Sequence, residues 1–164
     1  MEFKYNAEEI LEMAIQIERN GAKYYRLAAE GTDDENSSNL LYDLAAMEDE
    51  HEKTFAFMKE NLSEKEKEST TFDPDNQAAA YLRAMVEGIV FDVKTGPEKI
   101  LAQQKSLEEI LKQAIEFEKD SIVFYLGMKD AVPKRLGGEK VDDIIKEEMR
   151  HIGILSRHLS SLKS

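Results

Sequence analysis

At 164 residues, 41% of them apolar and 34% charged, the chain has the size of one domain and can bury a core without disulfides. It contains no cysteine, which excludes disulfides, thiolate metal sites, iron-sulfur clusters and thiol nucleophiles within this sequence. Acidic residues outnumber basic ones 34 to 22, a formal charge of −12, so phosphate backbones and anionic membranes are repelled on average and nucleic acid is not an expected partner.

Residues 1–10 are polar and charged, and no stretch approaches the roughly 18 apolar residues of a transmembrane helix; a soluble, cytoplasmic protein with no membrane partner is expected. Asn6, with Glu9 three residues on, reads as a capping box opening a helix A over about 7–30. Gly31 and the polar stretch 32–38 end it, and helix B follows to about Asn61. Residues 63–106 are too long for a tight turn, with a polar start, a short helix expected over 77–90, and Pro97. Its apolar residues, among them Tyr81, Leu82, Met85 and Ile89, imply a crossover that packs on the rest. Ser106 with Glu109 forms a second capping box and opens helix C over about 107–130. Pro133 and the Gly137-Gly138 pair then break the chain before helix D, about 139–162.

Residues 6–62 and 106–162 align without a gap at an offset of 100. Leu11 pairs with Leu111, Ala14 with Ala114, Glu18 with Glu118, Tyr25 with Tyr125, Glu48 with Glu148 and His51 with His151. The expected fold is all-α, one domain over 1–164: two repeated helical hairpins joined by a long crossover into a four-helix bundle. A lone hairpin could not bury its apolar face.

In each helix the apolar stripe, read at spacings of three and four, is interrupted by a glutamate about halfway along. Helix A gives Leu11, Ala14, Ile15, then Glu18, then Ala22 and Tyr25; helix B gives Leu41, Leu44, Ala45, then Glu48 and His51, then Phe55. Helices C and D repeat this around Glu118, and around Glu148 and His151. Folding would gather four carboxylates and two imidazoles in one interior layer, where unpaired charge is costly. Two divalent cations would balance the four carboxylates and leave neutral histidines as further ligands. In each Glu-x-x-His the two side chains face the same way and can approach one ion. One glutamate on each of two helices plus Glu-x-x-His on the other two is the arrangement of carboxylate di-iron and di-manganese bundles. Tyr25 and Tyr125 lie two turns beyond Glu18 and Glu118; their hydroxyls either bond carboxylates across the bundle or simply pack in the core. Glu50, Glu52, Glu109, Glu116 and Glu147 read as solvated, and His158, whose repeat mate is Met58, as structural or surface.

With Glu18-x6-Tyr25, Glu118-x6-Tyr125 and the two Glu-x-x-His pairs, the chain resembles the rubrerythrin-like branch of the ferritin-like superfamily over both hairpins. The resemblance implies that Glu18, Glu48, His51, Glu118, Glu148 and His151 ligate two iron ions, with manganese as the alternative metal. It implies a non-haem di-iron peroxidase that reduces hydrogen peroxide to water in defence against oxidative stress. Ferroxidase or iron-storage chemistry on dioxygen, or a dimanganese catalase, are the alternatives. Full-length rubrerythrins carry a rubredoxin domain with paired Cys-x-x-Cys motifs; none is present here, so a separate electron-donor protein such as a rubredoxin is expected. A homodimer is also expected. The family commonly has a further glutamate three residues after that of the third helix, whereas this chain has Ser121, and Gly21 at the repeat-related position.

Overall fold

The computed structural model describes residues 6–68, 77, 80–82, 84, 96–129 and 132–163. Among these the chain forms α1 (Ala7–Glu30), α2 (Glu35–Glu60), α3 (Glu64–Glu68), α4 (Pro97–Ala102), α5 (Leu107–Met128) and α6 (Gly138–Ser161), with a 3₁₀ turn at Lys134–Leu136 and no strand. The all-α bundle expected from the repeat is therefore the observed architecture. Helices A to D correspond to α1, α2, α5 and α6. Residues 77, 80–82 and 84 of the crossover are helical, and the rest of the expected 77–90 helix lies outside the described residues.

The helix starts follow from local chemistry. Asn6 Oδ1 accepts from the Glu9 amide at 2.9 Å, and the Asn6 amide donates to Glu9 Oε2 at 3.3 Å, closing the reciprocal box that satisfies two orphan donors. The second box is only half made: Ser106 Oγ accepts from the Glu109 amide at 3.2 Å, but Glu109 Oε2 accepts from the amide of Lys105 instead. α2 begins inside the stretch assigned to a loop, because Asp34 caps it, accepting from the Ser37 amide at 2.8 Å.

Two short helices depart from the sequence expectation. α4 opens at Pro97, whose missing amide proton is not needed at the first helical position; this proline starts a helix and does not break one. α3, Glu-Lys-Glu-Lys-Glu, has no apolar face and is tied down by Arg135, which donates to Glu66 and to the Asn61 carbonyl, the latter at 3.1 Å.

α1 packs along α2 and α5 along α6; the hairpins meet through α1 against α5 and α2 against α6, with α4 against α1. The buried apolar side chains form two clusters. One contains Ile10, Leu11, Ala14, Phe55, Met58, Ile122, Met128 and Ile144; the other contains Tyr24, Ala28, Leu41, Leu44, Leu111, Ala114 and Leu155. Along α1, α2 and α5 the change from one cluster to the other falls at the glutamate of the interrupted stripe; along α6 it falls just beyond Glu148, between Ile152 and Leu155.

The crossover seats on α5. Leu82 is fully buried in the first cluster, and the Tyr81 hydroxyl donates to the Val123 carbonyl at 2.8 Å. Gly127 makes this approach possible, since a Cβ there would lie 2.4 Å from the Tyr81 ring. Gly127→Ala is expected to destabilise the fold by about 1–3 kcal/mol, the usual cost of overpacking. Each 1 kcal/mol shifts Tm by roughly 2–4 °C at this size. An unchanged thermal melt would show that the crossover does not bear on α5 here.

Candidate metal centre

Glu18 and Glu118 come from α1 and α5, Glu48 and His51 from α2, Glu148 and His151 from α6, and none of the six is more than 4% exposed. The structure brings them together as two overlapping quartets, Glu18-Glu48-His51-Glu148 and Glu48-Glu118-Glu148-His151, each offering ligand atoms within 4.8 Å of one another. Glu48 and Glu148 belong to both sets. His51 Nδ1 lies 2.8 Å from Glu148 Oε1 and 3.5 Å from Glu18 Oε2; His151 Nδ1 lies 3.4 Å from Glu48 Oε1 and 3.3 Å from Glu118 Oε1. The two imidazoles stack with centroids 5.9 Å apart, 18° from parallel.

The residues present fit a metal pair, and the test is their unmet bonding. Glu18 Oε2, Glu48 Oε1, both Glu148 oxygens, Nδ1 of both histidines and His151 Nε2 are buried without a hydrogen-bond partner among the described residues. Each such group ordinarily costs about 1–3 kcal/mol, so a single layer collecting this many is best explained by ligands in need of cations. Oxygen and imidazole donors suit iron, manganese or zinc.

Protonation tells the same story. Burial, joined by the charges of Glu18, Glu148 and Glu118, raises Glu48 well above the usual carboxylate range; burial and Glu118 do the same to Glu148. Burial alone would raise Glu118, but the adjoining Glu148 and His151 side chains bring it below its ordinary value. Burial works against a charged His51, yet the adjoining Glu148 and Glu18 carboxylates outweigh it and push this histidine up to about 11. Glu48, Glu148 and His51 are thus placed to hold protons more tightly than free groups do, as a ligand set without its cations would.

Each tyrosine reaches across to the opposite hairpin: Tyr25 donates to Glu118 Oε1 and Tyr125 to Glu18 Oε1. Burial, then the nearby carboxylate charges, keep both phenols protonated by raising them well above their usual value. The tyrosines therefore act as fixed donors to the two carboxylates that each belong to only one quartet. Tyr25→Phe or Tyr125→Phe is expected to weaken metal binding roughly ten- to a hundredfold, as loss of an outer partner of a ligand does. Chelator competition measures this, and unaltered affinity would reduce the tyrosines to core packing.

Three residues after Glu118 the buried Ser121 hydroxyl is committed to the Phe117 carbonyl at 2.9 Å, and at the repeat-related Gly21 a Cβ would stand 3.1 Å from Glu48 Oε2. Neither adds a ligand. His158 lies apart from the cluster, its Nε2 2.7 Å from Ser37 Oγ, and links the end of α6 to the start of α2.

Glu147, read from sequence as solvated, is a residue that reasoning missed: its side chain is 34% exposed, yet its Oε2 lies 2.6 Å from His51 Nε2. The available signal was the repeat, which sets Met47 against Glu147 beside otherwise matching ligands.

Among solved structures, a protein from Thermotoga maritima described as a ferritin-like diiron-carboxylate protein is similar over 98% of this chain and 98% of its own, with 25% identity and a TM-score of 0.74. No curated protein sequence matches. The rubrerythrin family model matches residues 9–96, taking in the first hairpin with Glu18, Glu48 and His51; Glu118, Glu148 and His151 lie beyond it and are related to that half by the internal repeat. With over half of its length matched, the chain belongs to the rubrerythrin family.

Proposed function

We propose that Glu18, Glu48, His51, Glu118, Glu148 and His151 hold two iron ions and that the chain reduces hydrogen peroxide to water. One peroxide, two electrons and two protons give two waters, and the electrons return from a separate donor protein such as a rubredoxin. The observation that carries this reading is the sharing of Glu48 and Glu148 between two quartets, each completed by one further glutamate and one histidine. When bound, the irons supply the two electrons, one from each ion.

The rest is the work of the chain. Glu48 and Glu148, common to both quartets, would serve both ions, and Glu18 and Glu118 would serve one each, with a tyrosine hydroxyl from the other hairpin orienting each of these two. Apolar clusters on either side of the layer exclude bulk water and favour a small, uncharged reactant. Family membership supports oxidoreductase chemistry, and peroxide is the oxidant we infer.

The test is stopped-flow mixing of anaerobically iron-loaded protein with hydrogen peroxide and, separately, with dioxygen. Faster oxidation by peroxide is the expected result. Faster oxidation by dioxygen would replace this reading with ferroxidase or oxidase chemistry.

A further inference from the structure

The repeat makes the two halves of the centre alike in their ligands but unlike in what stands behind their histidines. His51 turns Nδ1 inward and presents Nε2 to Glu147 Oε2 at 2.6 Å, while His151 turns Nδ1 inward and leaves Nε2 buried with no partner among the described residues. The residue that the offset of 100 relates to Glu147 is Met47, which cannot accept a strong hydrogen bond. Both positions are about one-third exposed, so the contrast is one of chemistry and not of burial.

A carboxylate on the outer nitrogen of a ligating histidine has three consequences. It fixes the proton on that nitrogen, leaves the inner nitrogen's lone pair free for the ion, and makes the imidazole a better donor. Resting on the two-ion reading above, we propose that Glu147 is a positioning residue that sets His51 with Nδ1 toward the metal pair, so that the ion bound by Glu18, Glu48, His51 and Glu148 is held more tightly than its neighbour. Occupancy is then ordered. At limiting metal the His51 side fills first, and the His151 side is the position that exchanges.

The experiment titrates metal-free protein with cobalt(II), whose visible absorption reports each binding step, in the wild type, Glu147→Met and Met47→Glu. Like-charge repulsion separates the two steps of even a symmetric pair, so the decisive reading is the response to substitution. Glu147→Met, which copies the other half of the repeat, is expected to weaken the tighter step roughly ten- to a hundredfold and to leave the weaker one nearly unaltered. Met47→Glu is expected to strengthen the weaker step and narrow the gap. In zinc-loaded protein, the Nε2 proton of His51 is expected as a slowly exchanging NMR signal in the wild type and to be lost in Glu147→Met. Folding is checked by circular dichroism.

A folded Glu147→Met variant with both steps and the His51 proton unaltered would overturn the proposal while leaving the two-ion reading intact. Failure of the wild type to bind two cobalt ions would overturn that reading, and this proposal with it.

Discussion

Metal-free protein is expected to lose stability steadily as pH rises from about 5 to 9, and metal-loaded protein to gain it over the same interval. Glu48 and Glu148 bind protons more tightly folded than unfolded, burial and neighbouring carboxylates being the cause, so what their protonation contributes is present at low pH and lost above the unfolded pKa of about 4.3. His51 acts in the same direction: raised to about 11, it contributes fully below its unfolded value and loses that contribution as pH climbs toward the folded one. Glu118 adds no slope here: its pKa is lowered, so what it contributes is already fully present above its unfolded value and is lost only at more acid pH. Each proton released on unfolding is worth about 1.4 kcal/mol per pH unit.

With cations bound the sign reverses. Protons and metal compete for the same oxygen and nitrogen atoms, so raising the pH tightens binding and adds stability by mass action. Urea midpoints at pH 5, 7 and 9, with excess metal and with chelator, check both limbs. A metal-free protein whose stability is flat or rising across this range would mean that the layer is not a strained collection of like charges.

Glu48→Ala and Glu148→Ala are expected to abolish binding of both ions, whereas Glu18→Ala and Glu118→Ala should each spare the ion on the far side. The reason is geometric: the first two residues belong to both quartets and the other two to one each. Loss of several kcal/mol of metal-derived transition-state stabilisation corresponds to a fall in peroxide turnover on the order of a thousandfold. In the metal-free state Glu48→Gln should have the opposite effect on the fold, stabilising it by about 1–3 kcal/mol, because a carboxyl that must take up a proton to be buried is replaced by a neutral amide. Metal analysis of the four alanine variants, set beside melts of the Gln variant, separates the outcomes. Two ions retained in Glu48→Ala, or equal losses in all four, would contradict the assignment of bridges.

The long helices were legible because their signals are local and redundant. Asn6 and Glu9 cap α1 as their spacing implies, and the stripes around Glu18, Glu48, Glu118 and Glu148 keep a helical period long enough to show which residue is out of place. The repeat then set the four interruptions in one register, which the fold brings to a single buried layer. What escaped lacks an apolar period. α3 is wholly charged and depends on Arg135, nearly seventy residues away, and the same holds for Glu147, whose partner His51 is on another helix. The start of α2 was placed too late and α4 was not expected at all, because Asp34 and Pro97 serve equally well in loops and at helix N-termini, and only the finished backbone decides between them.

The central claim is that this buried layer holds two metal ions. Anaerobic titration of metal-free protein with ferrous iron, followed by metal analysis and Mössbauer spectroscopy, tests it most directly. Two irons per chain, each in oxygen and nitrogen coordination, is the predicted result; no stoichiometric iron, with manganese equally unbound, would contradict it.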